Sequence, residues 1–454
     1  MKLRPEQSPV APPPNRRLAI EYVSIDAIQL NPKNPRRHKR AAIRKLANSI
    51  RALGMNVPVI LDTAGVLLAG EARVLACREL GWETIPAIRL EHLTPAEAEL
   101  FMIAENRFSE LSEFDAQALG RLFKDLSVLG LDLSLELSGF ETPEIDLMIE
   151  GLEVAPVEDD EAALPAGGSA VSQLGDLWIL RNPASSLEHR LFVGDSLKAE
   201  SYAALMGADR AAAIITDPPF GGAIAGYLTG AGKIKHREFV MGSEGRTASE
   251  LAEMLEPVCR HMRDAARPGA LVYVFMDWRS IEVLLRVGGQ VFGELKNLIV
   301  WSKTNAGMGS LYRSQHELIA LFKVDGGPHR NNVQLGAFGR NRTNVWTFAG
   351  MNSTAGRNTA EGDLLALHPT AKPVAMIAEA ILDCTARGEI VLDPFLGSGT
   401  ALIAAERTGR RAHALELDPL YADCAIRRWQ RLTGAEAIRA DGQTFDSLAA
   451  EAVP

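Results

Sequence analysis

An acid, two prolines and an aromatic ring stand in a row at Asp217-Pro218-Pro219-Phe220, directly after Ile214-Ile215-Thr216. In an open α/β sheet, functional groups gather at the carboxyl ends of strands. A carboxylate, a carbonyl on a proline that has no N–H, and a stacking ring suit attack by an amino nitrogen conjugated with an aromatic base. The lone pair of such a nitrogen is delocalised. The Asp217 carboxylate and the Pro218 carbonyl would therefore hold its protons and draw it toward tetrahedral geometry, while Phe220 stacks on the base. The same residues also make an ordinary strand-ending turn, where Asp and Pro are common.

A second constellation is Asp393-Pro394-Phe395-Leu396-Gly397-Ser398-Gly399-Thr400, between the strand pattern 390–392 and the helix pattern 401–408. A phosphate-binding loop would need Gly-Lys-Ser/Thr, and no lysine is present. A dinucleotide fingerprint would want a third glycine where Leu402 stands. What remains is a loop whose backbone can approach a ligand without phosphates. Glu416 ends the next strand pattern, where a carboxylate can hold the two hydroxyls of a ribose. S-adenosylmethionine fits, with its ribose, adenine and amino-acid tail. His368-Pro369-Thr370-Ala371-Lys372-Pro373 opens a further helix and offers Thr370 and Lys372 to a carboxylate such as that tail. In Gly194-Asp195-Ser196, Asp195 either accepts from the cofactor adenine or caps a helix.

These residues need a sheet to hold them. From about residue 171 onward, apolar runs at 191–193, 211–215, 270–275, 298–301, 318–322, 390–392 and 412–415 alternate with helical patterns, predicting a mostly parallel sheet covered by helices. Before it, residues 18–151 read as a smaller α/β region, with a hairpin at 57–61 and 66–69 and helices at 71–80, 95–109, 116–126 and 143–152. Residues 1–17 read as a disordered Pro-rich tail, and 152–170, with Glu158-Asp159-Asp160-Glu161, as an acidic linker.

With 454 residues, 47% of them hydrophobic, the chain has material for two or three cores. The net charge of −9 excludes a protein coated in positive charge but not one with local basic patches. Residues 33–45 carry Lys33, Arg36, Arg37, Lys39, Arg40, Arg44 and Lys45 with no acid among them, either a solvated surface helix or a tail. Cys77, Cys259, Cys384 and Cys424 are scattered without metal-site spacing, so the expectation is reduced, mostly buried thiols and no metal. No stretch approaches the roughly 20 apolar residues of a membrane span, and residues 1–15 lack a secretory core, so a cytoplasmic protein without membrane contact is expected.

Together the four motifs resemble the amino-methylating DNA methyltransferases. Their order, with Asp217-Pro218-Pro219-Phe220 ahead of Lys372 and the Gly-rich loop, resembles the permuted subgroup whose cofactor half is C-terminal. Tyr312-Arg313-Ser314-Gln315-His316-Glu317 and Arg342-Thr343-Asn344-Val345-Trp346 are also typical of that family. Phe220 stands where the family usually has Tyr. Asp217, rather than Ser, resembles the adenine-specific members. The N-terminal region resembles the ParB N-terminal, sulfiredoxin-like domain through Asn34-Pro35-Arg36, Gly70-Glu71-Ala72-Arg73 and Glu105-Asn106-Arg107. Ala72 replaces the second-position arginine of that family's Gly-Glu-Arg-Arg.

The resemblance implies an α/β protein: a Rossmann-like S-adenosylmethionine-dependent methyltransferase domain over 171–454, plus a smaller α+β ParB-like domain over 18–151. It implies methyl transfer to adenine N6 in double-stranded DNA, with catalytic Asp217, Pro218, Pro219 and Phe220. The cofactor residues would be Asp195, Lys372, Asp393, Pro394, Phe395, Gly397, Ser398, Gly399, Thr400 and Glu416. Cytosine N4 (or RNA) is the alternative target, and a non-catalytic ParB-like DNA-binding protein the alternative class. For the N-terminal domain it implies either CTP binding or, given Ala72, DNA or protein contact alone. A homodimer is a further expectation, as is a bacterial or phage source, since such fusions resemble those of phages, mobile elements and restriction-modification systems. Target recognition is expected in 324–367, helped by the insertion 221–246, with Arg330, Arg340 and Arg342 as DNA contacts beside Asn331 and Asn332; a polar surface loop is the other reading of each.

Overall fold

A computed structural model describes residues 17–111, 114–129, 133–150, 170–219, 247–304, 311–337, 340–348 and 372–451. Phe220, the insertion 221–246, His368 to Ala371, most of the expected tail and linker, and 349–367 of the expected recognition region lie outside the described residues. The described chain forms two compact units. One comprises residues up to 115 together with 133–140, and the other 116–129 with 141 onward.

The first unit contains β1 (Ile20–Ser24), α1 (Arg40–Leu53), β2 (Val59–Leu61), β3 (Leu67–Ala69), α2 (Glu71–Glu79), β4 (Thr84–Arg89) and α3 (Pro95–Glu110). Its sheet runs β1-β4-β2-β3, with β2 and β3 antiparallel as a hairpin and β2 parallel to β4. The basic run belongs partly to α1. Ile43, Leu46, Ala47 and Ile50 recur at i, i+3, i+4, i+7 and turn one face onto the core, while Arg40 and Arg44 stay in water.

The second unit begins with α4 (Ala116–Val128) and α5 (Thr142–Glu150). It continues with β5 (Leu177–Asn182), β6 (Leu187–Val193), α6 (Ala199–Met206), β7 (Ala211–Thr216), α7 (Ala248–Ala265) and β8 (Ala266–Met276). Next come α8 (Ile281–Phe292), β9 (Gly293–Lys303), β10 (His316–Val324) and β11 (Val345–Phe348), then α9 (Val374–Cys384), β12 (Ile390–Asp393), α10 (Thr400–Thr408) and β13 (Arg411–Glu416). The last elements are α11 (Pro419–Thr433), β14 (Ala437–Arg439) and α12 (Phe445–Glu451). The sheet order is β11-β9-β10-β8-β7-β12-β13-β6-β5-β14.

The five central strands β8-β7-β12-β13-β6 are parallel. Both flanks turn antiparallel, at β10 and β5; at β5 only four residues join it to β6, and so short a connection cannot cross over. The central runs are apolar throughout because both faces are covered. Along β7, Ala213 and Ile215 join the cluster formed with α9, α10 and α11, while Ile214 joins the one formed with α6, α7 and α8.

The boundary between the units differs from the one expected near residue 151. On α5, Asp146, only 1% exposed, accepts from Arg410 Nη1 and Nη2 at 3.1 and 2.8 Å and lies 3.0 Å from Arg387 Nε. Ser186 Oγ donates to the carbonyl of Val128 in α4 at 2.5 Å. Both helices thus belong to the larger unit. The four cysteines are buried and none is in a disulfide. No described helix is long and apolar enough to cross a membrane. Among the described residues no cluster of three or more His, Cys, Asp or Glu could hold a metal.

Candidate active site

The strand pair β7 and β12 decides where the two motifs meet. In parallel register Ala213 faces Val391 and Ile214 faces Leu392, so both carboxyl ends finish at one edge of the sheet. Thr216 Oγ1 donates to Asp393 Oδ1 at 2.7 Å, and the Phe395 N–H donates to the same oxygen at 3.0 Å. A single cavity is lined by Thr216, Asp217, Phe275, Lys372, Asp393 and Gly397, among others. The expected adjacency of the Asp217 tip and the Gly-rich loop is therefore present.

Lys372 stands just before α9 and sends its ammonium to Asp217 Oδ2 at 2.5 Å, beneath which the ring of Phe275 lies 5.2 Å away. The second oxygen, Asp217 Oδ1, is buried with no hydrogen-bond partner among the described residues. Lys372 also lies 3.4 Å from Glu317 Oε2, and Lys303 Nζ donates to Glu317 Oε1 at 2.5 Å. Burial pushes the Asp217 carboxyl above its usual range, against the pull of Lys372. Burial would raise Glu317 too, but Lys372 and Lys303 outweigh it and hold the group low. Burial would lower Lys372, and its two carboxylate neighbours keep it above the ordinary lysine value. Lys372, expected on the cofactor carboxylate, is thus turned to Asp217. Glu317 and Lys303 were not singled out by sequence reasoning. The signal available was Glu317 at the start of a strand, within a stretch already resembling the family.

The Gly-rich loop is shaped by its glycines. Gly397 has φ +56° and Gly399, which caps α10, φ +96°, both in the left-handed region. A Cβ on Gly399 would lie 2.9 Å from the Cβ of Ala425, so only glycine lets the loop approach α11. Arg428 Nη1 holds the Ser398 carbonyl at 2.7 Å, Thr400 opens α10, and Pro394 is buried beneath the turn. Glu416 accepts from the Gly397 N–H at 2.7 Å and the Asp418 N–H at 2.9 Å, which fixes it beside the loop. Burial raises Asp393 and Glu416 each to about 7 in spite of those donors. Gly194 donates to the Glu416 carbonyl at 2.8 Å, so Asp195 sits at the neighbouring strand tip. There its Oδ1 accepts from the Leu197 N–H at 2.9 Å, a local turn ahead of α6 and not a helix cap, since the N-cap of α6 is Lys198. Pro218 is buried and Pro219 half-buried.

Of the arginines expected on DNA, Arg340 requires correction. It is 6% exposed, with Nη2 2.6 Å from Glu379 Oε2 and 3.1 Å from Asp383 Oδ1. Arg342 is ion-paired to the same two carboxylates and lies over the Trp346 ring. A polar loop suggested solvent, but α9 turns an acidic face toward it and takes both guanidinium groups inside. Asn332, 2% exposed, likewise donates to the Leu382 and Thr385 carbonyls. Arg330 is half-buried, with Nη1 3.3 Å from Thr142 Oγ1. The open aromatic at this edge is one sequence reasoning missed. Trp278, 51% exposed, follows β8 three residues beyond Phe275, and the Arg279 guanidinium stacks on it at 4.5 Å.

Residues 211–427 match the DNA methylase family of N6/N4 type, and residues 14–107 match the ParB N-terminal domain. Type II methyltransferase M.ScaI of Streptomyces caespitosus is 38% identical over 96 residues, 21% of this chain and 31% of that protein. Type II methyltransferase M.Cfr9I of Citrobacter freundii is 33% identical over 145 residues, 30% of this chain and 44% of that protein. The chain therefore spans less than half the length of these two relatives. Among solved structures, the M1.HpyAVI–SAM complex is similar at 19% identity and TM-score 0.38, covering 52% of this chain and 97% of that one. The chain carries a ParB N-terminal domain followed by a DNA methylase domain of the N6/N4 type.

Proposed function

We propose that this protein transfers a methyl group from S-adenosylmethionine to the exocyclic amine of a base in double-stranded DNA, and that the base is adenine. The observation that carries this reading is Asp217 Oδ1, a buried acceptor without a hydrogen-bond partner among the described residues, in the cavity it shares with the Gly-rich loop. A buried polar atom left unsatisfied costs roughly 1–3 kcal/mol, and an incoming amine would remove that cost. The residues also fit the cofactor. Glu416 and Asp393 are buried carboxylates able to receive hydroxyl or ammonium donors, and Gly397 and Gly399 keep the floor clear of side chains.

When bound, S-adenosylmethionine would supply a methyl group already activated on a sulfonium. The chain's own contribution is positioning of the amine and the methyl donor. Glu416 would hold the ribose hydroxyls, Asp393 and the Gly397–Gly399 backbone the rest. Asp217 Oδ1 and the Pro218 carbonyl would accept from the two amine hydrogens; as the new N–C bond forms, the methyl's bond to the sulfonium sulfur would break with its electron pair left on sulfur, and one amine proton would pass to Asp217. Phe220 would stack on the base. Trp278 and Arg279, at the carboxyl edge beside β7, supply an aromatic and a cation suited to unstacked bases and phosphate.

The N-terminal domain we read as a nucleotide-binding module of CTP type. A cavity of about 530 Å³ lined by Asn34, Arg36, Gly70, Arg73 and Asn106 supports this, within the span of small-molecule sites, about 300–1,000 Å³.

The decisive experiment digests DNA treated with the protein and labelled cofactor to nucleosides and identifies the product by mass spectrometry. N6-methyladenine is expected; N4-methylcytosine would move the target, and no methylated nucleoside would remove the enzyme reading. Asp217→Asn should lower the rate by at least about a hundredfold with cofactor affinity nearly intact, because the general base alone is lost.

A further inference from the structure

Four charged side chains from four separate segments form an alternating row: Lys303 at the end of β9, Glu317 near the start of β10, Lys372 before α9, and Asp217 after β7. Each is partly or fully withdrawn from water, the Lys372 and Glu317 side chains being 6% and 18% exposed. Two cations and two carboxylates balance. Chains are not assembled this way for stability alone, since buried ion pairs often give no net gain over apolar packing. The row also ends on Asp217 Oδ1, a buried carboxylate oxygen with no hydrogen-bond partner among the described residues, while Glu317 Oε2 is held only by its ion pair with Lys372.

We infer that Glu317 is a positioning residue for methyl transfer: it shares Lys372 with Asp217, which pins the ammonium on Oδ2 and leaves Oδ1 to take the amine proton. The inference rests on the function proposed above and deepens it. Without Glu317 the ammonium loses one of the two carboxylates it is ion-paired with and can swing across both oxygens of Asp217. The charge balance changes as well. Asp217 is faced by Lys372, Glu317 and Lys303, and across the shared cavity by Asp393. Among these, Glu317 pushes the Asp217 carboxyl up and Lys303 pulls it down. Glu317 therefore keeps Asp217 basic enough to accept a proton while Lys372 keeps it ionised.

The test measures kcat against pH with the full chain, a DNA duplex and S-adenosylmethionine, alongside cofactor affinity by calorimetry. Glu317→Gln removes a negative charge, so the acid limb of the profile should move to lower pH and the plateau should fall about tenfold. Cofactor affinity should stay within about twofold, since uniform binding is untouched. Glu317→Asp should recover most of the rate. Lys303→Gln, nearer the surface, should move the acid limb the other way, to higher pH, and carries the test if Glu317→Gln fails to fold. Wild-type profiles in both variants would overturn the inference. Asp217→Asn separates the two levels: if it keeps wild-type rates, the catalytic reading itself falls, whereas an inactive Asp217→Asn beside unshifted Glu317→Gln and Lys303→Gln removes only the role of Glu317.

Discussion

Thr216 donates its hydroxyl to Asp393 at 2.7 Å, so the residue before Asp217 is bonded directly to the first residue of the Gly-rich loop. Two motifs 177 positions apart in the chain are thereby locked at one height on the sheet. Thr216→Val keeps the shape and removes the donor. Asp393 then retains only the Phe395 N–H of its two bonds to Oδ1, and a carboxylate already pushed to about 7 rises further. A lost hydrogen bond to a charged group costs about 1.5–3 kcal/mol, so cofactor affinity should weaken roughly tenfold or more. Calorimetry showing an unchanged Kd would mean the bond does not govern the loop.

Asp393 and Glu416, both near 7, also give cofactor binding a pH dependence. Burial raises each above its unfolded value. Their contribution to stability is fully present below the unfolded carboxylate range and is lost as pH rises through about 7. Thermal melts of the unliganded protein should accordingly fall between pH 5.5 and 8, as far as these groups decide it. Ribose hydroxyls donating to Glu416 favour its ionised form, so binding releases a proton. One group with a pKa of about 7 tightens Kd about tenfold between pH 6 and 8 if only the ionised form binds. A Kd that is flat over that range would sink the assignment of Glu416 to the ribose.

Trp278 gives a test confined to DNA. The turn that carries it is fixed, because Asp277 Oδ1 accepts from the Ser280 N–H at 2.8 Å, and its ring remains half open to solvent under Arg279. Trp278→Ala should weaken binding to DNA about tenfold, the order expected for one lost base–aromatic stack, with cofactor affinity and melting temperature little changed. Fluorescence anisotropy with a labelled duplex, at stated salt, reads this out. Equal affinity in the variant would exclude Trp278 as a DNA contact.

What could be read from the sequence, and what could not, divides by the distance between partners. Apolar runs ending in Asp217, Asp393 and Glu416 are local signals, and the structure brings those strand ends to one edge. The loop glycines are equally local, since the left-handed backbone at 397 and 399 favours glycine whatever the chain does afterwards. Arg340 was misplaced because the carboxylate that takes it inside, Asp383, lies 43 residues further on, and no pattern around 340 shows it. The row from Lys303 to Asp217 has the same character: Lys303 and Glu317 are unremarked charges until the fold aligns them with Lys372 and Asp217. The edge strands β1 and β14 are short and carry little periodicity.

The helix α5 was assigned by sequence to the N-terminal domain, and its one buried acid shows why it packs elsewhere. Asp146 and Arg410 are separated by 264 positions, and both are withdrawn from water, with Arg387 completing the cluster. Arg410 also donates to the Thr408 and Thr385 carbonyls at 2.6 and 2.8 Å, so its guanidinium is held in place whether or not the acid is present. Removing only the acid leaves a buried cation without its counter-charge, which typically costs about 3–5 kcal/mol. Asp146→Ala should therefore lower the denaturant midpoint of the methylase unit, with the signal from the N-terminal unit unchanged. Cutting the chain makes the same point without a substitution. A fragment starting at residue 116 retains α4 and α5 and should unfold cooperatively near the full-chain midpoint; one starting at 171 loses both helices and should unfold earlier. If the two fragments share a midpoint and Asp146→Ala is silent, α5 contributes nothing to the larger unit, and the domain boundary belongs near residue 151 after all.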